Sequence, residues 1–174
     1  LPHERLSPRS DTVGRRLEVL RRLAGNSDIP APRIVVAPVR SVLQPQVKGL
    51  GSLRPIRLVV GEEIDLTDLA AALVAAAYTR VDLVERRGEF AVRGGIVDVF
   101  PPTEEHPVRV DFFVDTVEEI HYFFVADQRS SDIALTEITA SPCRELLLTE
   151  DVRARAAALA DRHPELIEML DRIA

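Results

Sequence analysis

The sequence predicts an α/β (α+β) fold: a small mixed, mostly antiparallel sheet with one covering helix, flanked by further helical and strand pieces. Three observations carry this reading. Apolar and polar residues alternate through much of residues 78–125, as they do in half-buried strands. Gly88, Gly94-Gly95, Pro101-Pro102 and Val114-Asp115 cut that stretch into short runs, because glycine, proline and aspartate favour turns. An alanine-rich segment stands just before it, with Leu66, Leu69, Leu73 and Ala76 on one helical stripe.

Taken in order, residues 1–10 are polar and proline-rich and read as loop. Ser10 or Asp11 can cap a helix running to about Leu23, whose stripe is Val13, Leu17, Leu20 and Ala24. Gly25 and Asn26 end it, and Arg15, Arg16, Arg21 and Arg22 form a solvated flank. Pro30, Pro32 and Pro38 bracket residues 33–37, leaving room for one short buried strand. Residues 39–44 read as a short helix stopped by Pro45, and residues 47–55 as a linker or mobile loop. A strand is expected over 56–60, and Asp65 or Thr67 caps the covering helix.

Within the sheet region, Val81 and Leu83, then Phe90 and Val92, alternate as two strands would, with Gly88 supplying the positive φ of a tight hairpin. Gly94-Gly95 signals a bulge or a close backbone approach. Ile96, Val97, Val99 and Phe100 form a central strand that Pro101-Pro102 stops, since proline has no N–H for the ladder. Val108, Val110 and Phe112 then point to one face, and Arg109, Asp111 and Phe113 to the other. That second face mixes charge with an aromatic ring, as a docking surface does. Residues 116–125 form a long strand, 126–132 a turn, and 133–140 one further alternating run ending at Pro142. Residues 146–148 suggest a short strand. Thr149 caps a helix to about Arg162, and Pro164 separates a last helix reaching Ile173. Leu159, Leu166, Met169, Leu170 and Ile173 are core candidates there.

Composition narrows the function. The net charge of −6 argues against an electrostatic nucleic-acid binder, and Lys48 is the sole lysine among many arginines. Cys143 is the single cysteine, so no internal disulfide is possible, and it reads as an unreactive strand-end residue. No signal-peptide pattern and no apolar run of membrane-spanning length occurs, so a cytoplasmic location is expected. The chain lacks an initiator Met and reads as a fragment of something longer.

Chemistry is sparse. There is no G-x-x-x-x-G-K-[ST] phosphate loop; Gly49, Gly51 and Gly94-Gly95 lack the Lys-Ser/Thr that would follow. His3, His106, His121 and His163 have no metal-ligand spacing. Asp98, Asp111 and Asp115 have no nucleophile or base beside them in the sequence. No catalytic residue, cofactor or metal is therefore expected in this chain.

Four stretches carry a family resemblance: LPHERLSPRSDTVGRRLEVL, ERRGEFAVRGGIVDVFPP, VRVDFFVDTVEEI and ADQRS. In that order they resemble the N-terminal, UvrB-like module of the bacterial transcription-repair coupling factors. The resemblance implies an incomplete first UvrB-like domain and linker over 1–55, a UvrB domain-2-like UvrA-binding domain over 56–140, and a helical segment returning toward the first domain over 141–174. It implies a protein–protein interaction module, not an enzyme, that recruits UvrA to RNA polymerase stalled at DNA damage. The alternative is a nucleic-acid-binding or helicase-type module. The larger parent would be a bacterial cytoplasmic DNA translocase using ATP and Mg, with polymerase and double-stranded DNA as partners and its own C-terminal domain masking the UvrA surface.

By motif alignment, Arg80 in YTRVD, Arg93 in AVRGG and Arg109 in VRVDFF match basic positions of the UvrA-binding surface, and Asp111 matches an acidic one. Ala91 departs from UvrB, which carries a further arginine there. Replacing Arg80, Arg93 or Arg109 is expected to weaken UvrA binding and leave thermal melting nearly unchanged.

Overall fold

The computed structural model describes residues 9–171 and residue 173; the loop expected over 1–10 lies almost wholly outside them. The helices are α1 (Ser10–Leu23), α2 (Val39–Leu43), α3 (Leu66–Ala75), α4 (Glu150–Ala160) and α5 (Ile167–Leu170). The strands are β1 (Ile56–Val59), β2 (Thr79–Arg80), β3 (Glu89–Arg93), β4 (Ile96–Val99), β5 (Val108–Phe113), β6 (Thr116–Phe123), β7 (Ser130–Leu135) and β8 (Glu137–Ala140). Strands β2 to β7 form one sheet in sequence order. Its pairings are antiparallel except β2–β3, so the expected mixed, mostly antiparallel sheet is present. Strands β1 and β8 pair separately as an antiparallel ribbon.

Helix α3 forms where its sequence directs. The Asp65 carboxylate accepts from the amides of Thr67 (2.7 Å) and Asp68 (3.0 Å), satisfying two donors that the first turn leaves open. Leu69, Leu73 and Ala76 are buried on its inner stripe. They pack with Leu58 and Ile138 of the ribbon against Phe90, Val97, Val99, Val108, Val110, Phe112 and Ile120 of the sheet. This inner face of the sheet is the main core. Tyr78 closes its end, its hydroxyl donating to the Ser141 carbonyl at 2.8 Å, while the Cys143 amide donates to Ala76 O at 2.9 Å.

Several expectations change. Residues 81–88 are not a hairpin strand: β2 is two residues long and pairs parallel with β3. The reason is a second, smaller core on the outer face of the sheet. Val81 and Val84 turn inward there to meet Ala91, Phe100 and Phe123. The Glu89 carboxylate holds the loop by accepting from the amides of Glu85 (2.9 Å) and Arg86 (2.8 Å). Gly88 does take a positive φ of 87°, closing this loop with its N–H on Phe100 O. The β3–β4 hairpin turns instead at Gly94-Gly95, and the close approach expected there is real. A Cβ on Gly95 would lie 2.9 Å from the Phe112 carbonyl oxygen.

The alternating run 133–140 is two strands in two sheets, changing partner at Thr136. Residues 33–37 form no strand: Ile34 and Val36 are 82% and 93% exposed, with no strand beside them among the described residues. Residues 146–148 form none either. At α1 the N-cap is Arg9, and Ser10 Oγ donates across the chain to Arg87 O at 3.1 Å. Residues 47–55 are pinned down, since Leu50 is buried against Val13 and Leu17. Of the apolar candidates near the C-terminus, Leu170 is buried and Leu159, Leu166 and Met169 are exposed.

Candidate functional site

Strand alternation sends every second residue of β3 to β7 to the outer face. The register lines up two cross-strand rows. One is Ala91, Asp98, Arg109, His121 and Ala134. The other is Arg93, Ile96, Asp111 and Glu119. Phe113 stands beyond them at the β5–β6 hairpin and is 70% exposed. The face therefore carries Arg93, Arg109 and Asp111 together.

Asp98 is the centre of this surface, although it is only 1% exposed. A carboxylate can stay buried when charged donors replace its water. Arg109 supplies a fork, Nε to Oδ1 at 2.7 Å and Nη2 to Oδ2 at 3.0 Å. Arg93 Nη2 donates to the same Oδ2. Such two-pronged, charge-assisted bonds fix geometry as well as energy.

Arg109 is itself clamped. Its Nη1 donates to the Gln128 carbonyl at 3.2 Å and lies 3.4 Å from Ser130 Oγ. Its guanidinium sits 4.9 Å from the centre of the Phe123 ring, a favourable cation–π position. Gln128, at φ 60°, reaches the Val125 carbonyl (3.0 Å) and the Val84 carbonyl (3.4 Å) with its side-chain amide. It thereby joins the β6–β7 turn to the 81–88 loop. The hydrogen bonds that Arg109 donates to Asp98 hold it still more firmly in its charged form, against the effect of burial.

Asp111 lies one residue pair away from this cluster. Burial pushes its carboxyl above the usual range, while Arg109 and then His121 pull the other way. His121 contacts Glu119 at 3.0 Å through Nε2.

Arg80 stands apart. The parallel β2–β3 register aligns it with Phe90, an inner-face residue, so it leaves the sheet on the α3 side. It is exposed and has no hydrogen-bond or ion-pair partner among the described residues. The structure thus unites three of the four residues singled out by motif, and leaves Arg80 on the edge strand.

One expectation needs correction. Arg109 cannot be replaced without touching the fold, because its side chain is 15% exposed and its donors turn inward to Asp98, Gln128 and Ser130. Of the two guanidiniums on Asp98, Arg93, with 46% of its side chain exposed, is the one that faces solvent. From the sequence alone, Asp98 reads only as one of three candidate catalytic carboxylates. Its signal is an aspartate inside the apolar run Ile96 to Phe100, where an unpartnered carboxylate would be costly.

Cys143 is buried, and burial pushes its thiol up to about 12, away from the nucleophilic thiolate. Among the described residues, no three His, Cys, Asp or Glu side chains group as metal ligands, and no helix is long and apolar enough to cross a membrane. What the outer face offers is a fixed pattern of charge beside an exposed ring, which suits recognition of another macromolecule.

The family model described as the UvrB interaction domain matches residues 56–145. The transcription-repair-coupling factor of Mycobacterium tuberculosis (strain CDC 1551 / Oshkosh) is 58% identical over 168 residues, covering 94% of this chain and 14% of the relative. That of Myxococcus xanthus is 40% identical over 168 residues, covering 93% of this chain and 14% of the relative. That of Escherichia coli (strain K12) is 33% identical over 134 residues, covering 75% and 11%. The chain spans about 14% of the length of the first two relatives. With a family model matched over more than half its residues and a relative this similar across nearly all of them, the chain belongs to the transcription-repair coupling factors.

Proposed function

We propose that this chain is the part of a coupling factor that binds the repair ATPase UvrA and brings it to RNA polymerase stalled at DNA damage. The outer face of the six-stranded sheet is the contact surface. Arg93 and Asp111 are its charged contacts, Arg109 is its clamped base, and Arg80 is a rim contact reached from the edge strand. The unit that binds is 56–140; residues 1–55 and 141–174 belong to a neighbouring first domain. The chain performs no chemical step and holds no cofactor. ATP, Mg, polymerase and double-stranded DNA engage other parts of a longer bacterial, cytoplasmic protein, whose C-terminal domain masks this face at rest.

The observation that carries the reading is the position of Arg93, half in solvent and tied to a buried carboxylate. A guanidinium can pair bidentately with a partner's acid. Fixing it beforehand lowers the ordering cost of binding. Losing one side of such a pair typically costs about 2–5 kcal/mol of affinity. The exposed Phe113 ring on the same face adds an apolar contact of the kind that anchors interfaces. The net charge of −6 favours a protein partner over nucleic acid.

Calorimetric titration of purified UvrA into the chain tests this. Binding by the native chain, weakened by Arg93→Ala and by Arg80→Ala, is expected. Unchanged affinity in the Arg80→Ala, Arg93→Ala, Asp111→Ala triple variant would defeat it. Tight, salt-sensitive retention of DNA by the chain alone in an electrophoretic shift assay would promote the nucleic-acid reading instead.

A further inference from the structure

We infer that Asp98 is the positioning residue of the recruiting face, acting on UvrA through the orientation it gives Arg93. The inference rests on the outer face being the UvrA-binding surface.

Arg93 ends β3, where a long side chain has many rotamers open to it. Asp98 lies diagonally across on β4, since Arg93 pairs with Ile96 and Ala91 with Asp98. A diagonal neighbour is within reach of a long side chain. Ala91, directly opposite Asp98, has no polar group to compete for the carboxylate. Arg109 takes Oδ1 and part of Oδ2 in its fork, and Arg93 Nη2 completes Oδ2. Arg109 is in turn held by the Phe123 ring, the Gln128 carbonyl and Ser130. A continuous set of fixed groups thus runs from the β6–β7 turn to the Arg93 guanidinium. Among the described residues Asp98 engages a single nitrogen of Arg93, leaving Nε and Nη1 for an incoming acceptor.

The test is a double-mutant cycle read by calorimetric titration with purified UvrA. It uses the native chain, Asp98→Asn, Arg93→Ala and the Asp98→Asn/Arg93→Ala pair, each at a temperature where circular dichroism finds it folded. Asp98→Asn is expected to weaken binding by about tenfold, near the upper end of the cost of immobilising one long side chain at an interface. On the Arg93→Ala background the same change is expected to have no further effect. Native-like affinity of Asp98→Asn would overturn the inference. So would an equal loss on both backgrounds, because a general structural defect does not need Arg93.

Should Asp98→Asn fail to fold, Asp98→Asn/Arg109→Gln replaces both buried charges at once and enters the cycle in its place. Relaxation of the Arg93 Nε–H signal in the free chain gives a second readout. A rigid signal in the native chain that becomes mobile in the Asp98 variant is expected; equal mobility in both overturns the positioning role. If the native chain binds no UvrA, the recruiting reading falls, and the relaxation measurement still reports separately whether Asp98 orders Arg93.

Discussion

The two faces of the six-stranded sheet are built from alternate residues of the same strands, yet they are closed mainly by opposite means, the outer face keeping only a small apolar core beneath the 81–88 loop. Phe90, Val97, Val99, Val110 and Ile120 meet α3 and the β1–β8 ribbon on the inner face. Ala91, Asp98, Arg109 and His121, their neighbours in sequence, form the outer face. Apolar burial is roughly proportional to area and indifferent to direction. A buried carboxylate shared by two guanidiniums depends on direction at every bond. The inner face therefore supplies stability that many similar side chains could provide. The outer face supplies geometry, and it fails by leaving a charge without its partner.

That contrast can be broken from either side. The largest effect is expected from Phe90→Ala, which removes a fully buried ring and costs about 3–5 kcal/mol in a denaturant melt. The affinity of the molecules that remain folded should not change, since Phe90 does not reach the outer face. Asp98→Ala comes next, at about 3 kcal/mol, the low end for breaking a buried pair, because Arg93 is half in water. Here affinity should fall along with stability. A loss of stability below about 0.5 kcal/mol, the range of ordinary surface substitutions, would mean that the cluster is a surface feature.

A smaller effect belongs to pH. Burial raises the Cys143 thiol from an ordinary 9.0 to about 12 and raises the Tyr78 hydroxyl as well. The unfolded thiol gives up its proton first, so the stability linked to it is complete below about 9 and is lost as pH rises toward about 12. Denaturation midpoints should fall across that window, and less steeply in Cys143→Ala. An unchanged slope would show that the thiol is not sheltered by the inner core.

Much of this contrast is legible in the sequence, because the period of a strand is local. Val108, Arg109, Val110, Asp111 and Phe112 divide between the faces as their alternation requires. The α3 stripe and its Asp65 cap are equally local. What is hidden depends on partners far along the chain. Two residues of β2 carry no period, so neither its parallel pairing nor the side taken by Arg80 can be read. The alternation over 133–140 continues unbroken while the chain passes from one sheet to another at Thr136. Residues 33–37 are apolar enough for a core, yet burial also needs an adjoining surface, and Ile34 and Val36 have none among the described residues. The role of Asp98 is non-local as well, since its partners lie five and eleven residues away.

The claim that the outer face does the recruiting is tested most directly by setting two charge changes on opposite sides of the sheet against each other. Arg93→Glu alters the outer face, and Ala72→Glu alters the exposed side of α3. Both variants are titrated with UvrA by calorimetry beside the native chain. Native affinity is expected for Ala72→Glu, and a loss of about 2–5 kcal/mol for Arg93→Glu. Native affinity for Arg93→Glu, or loss of binding in Ala72→Glu alone, would contradict it.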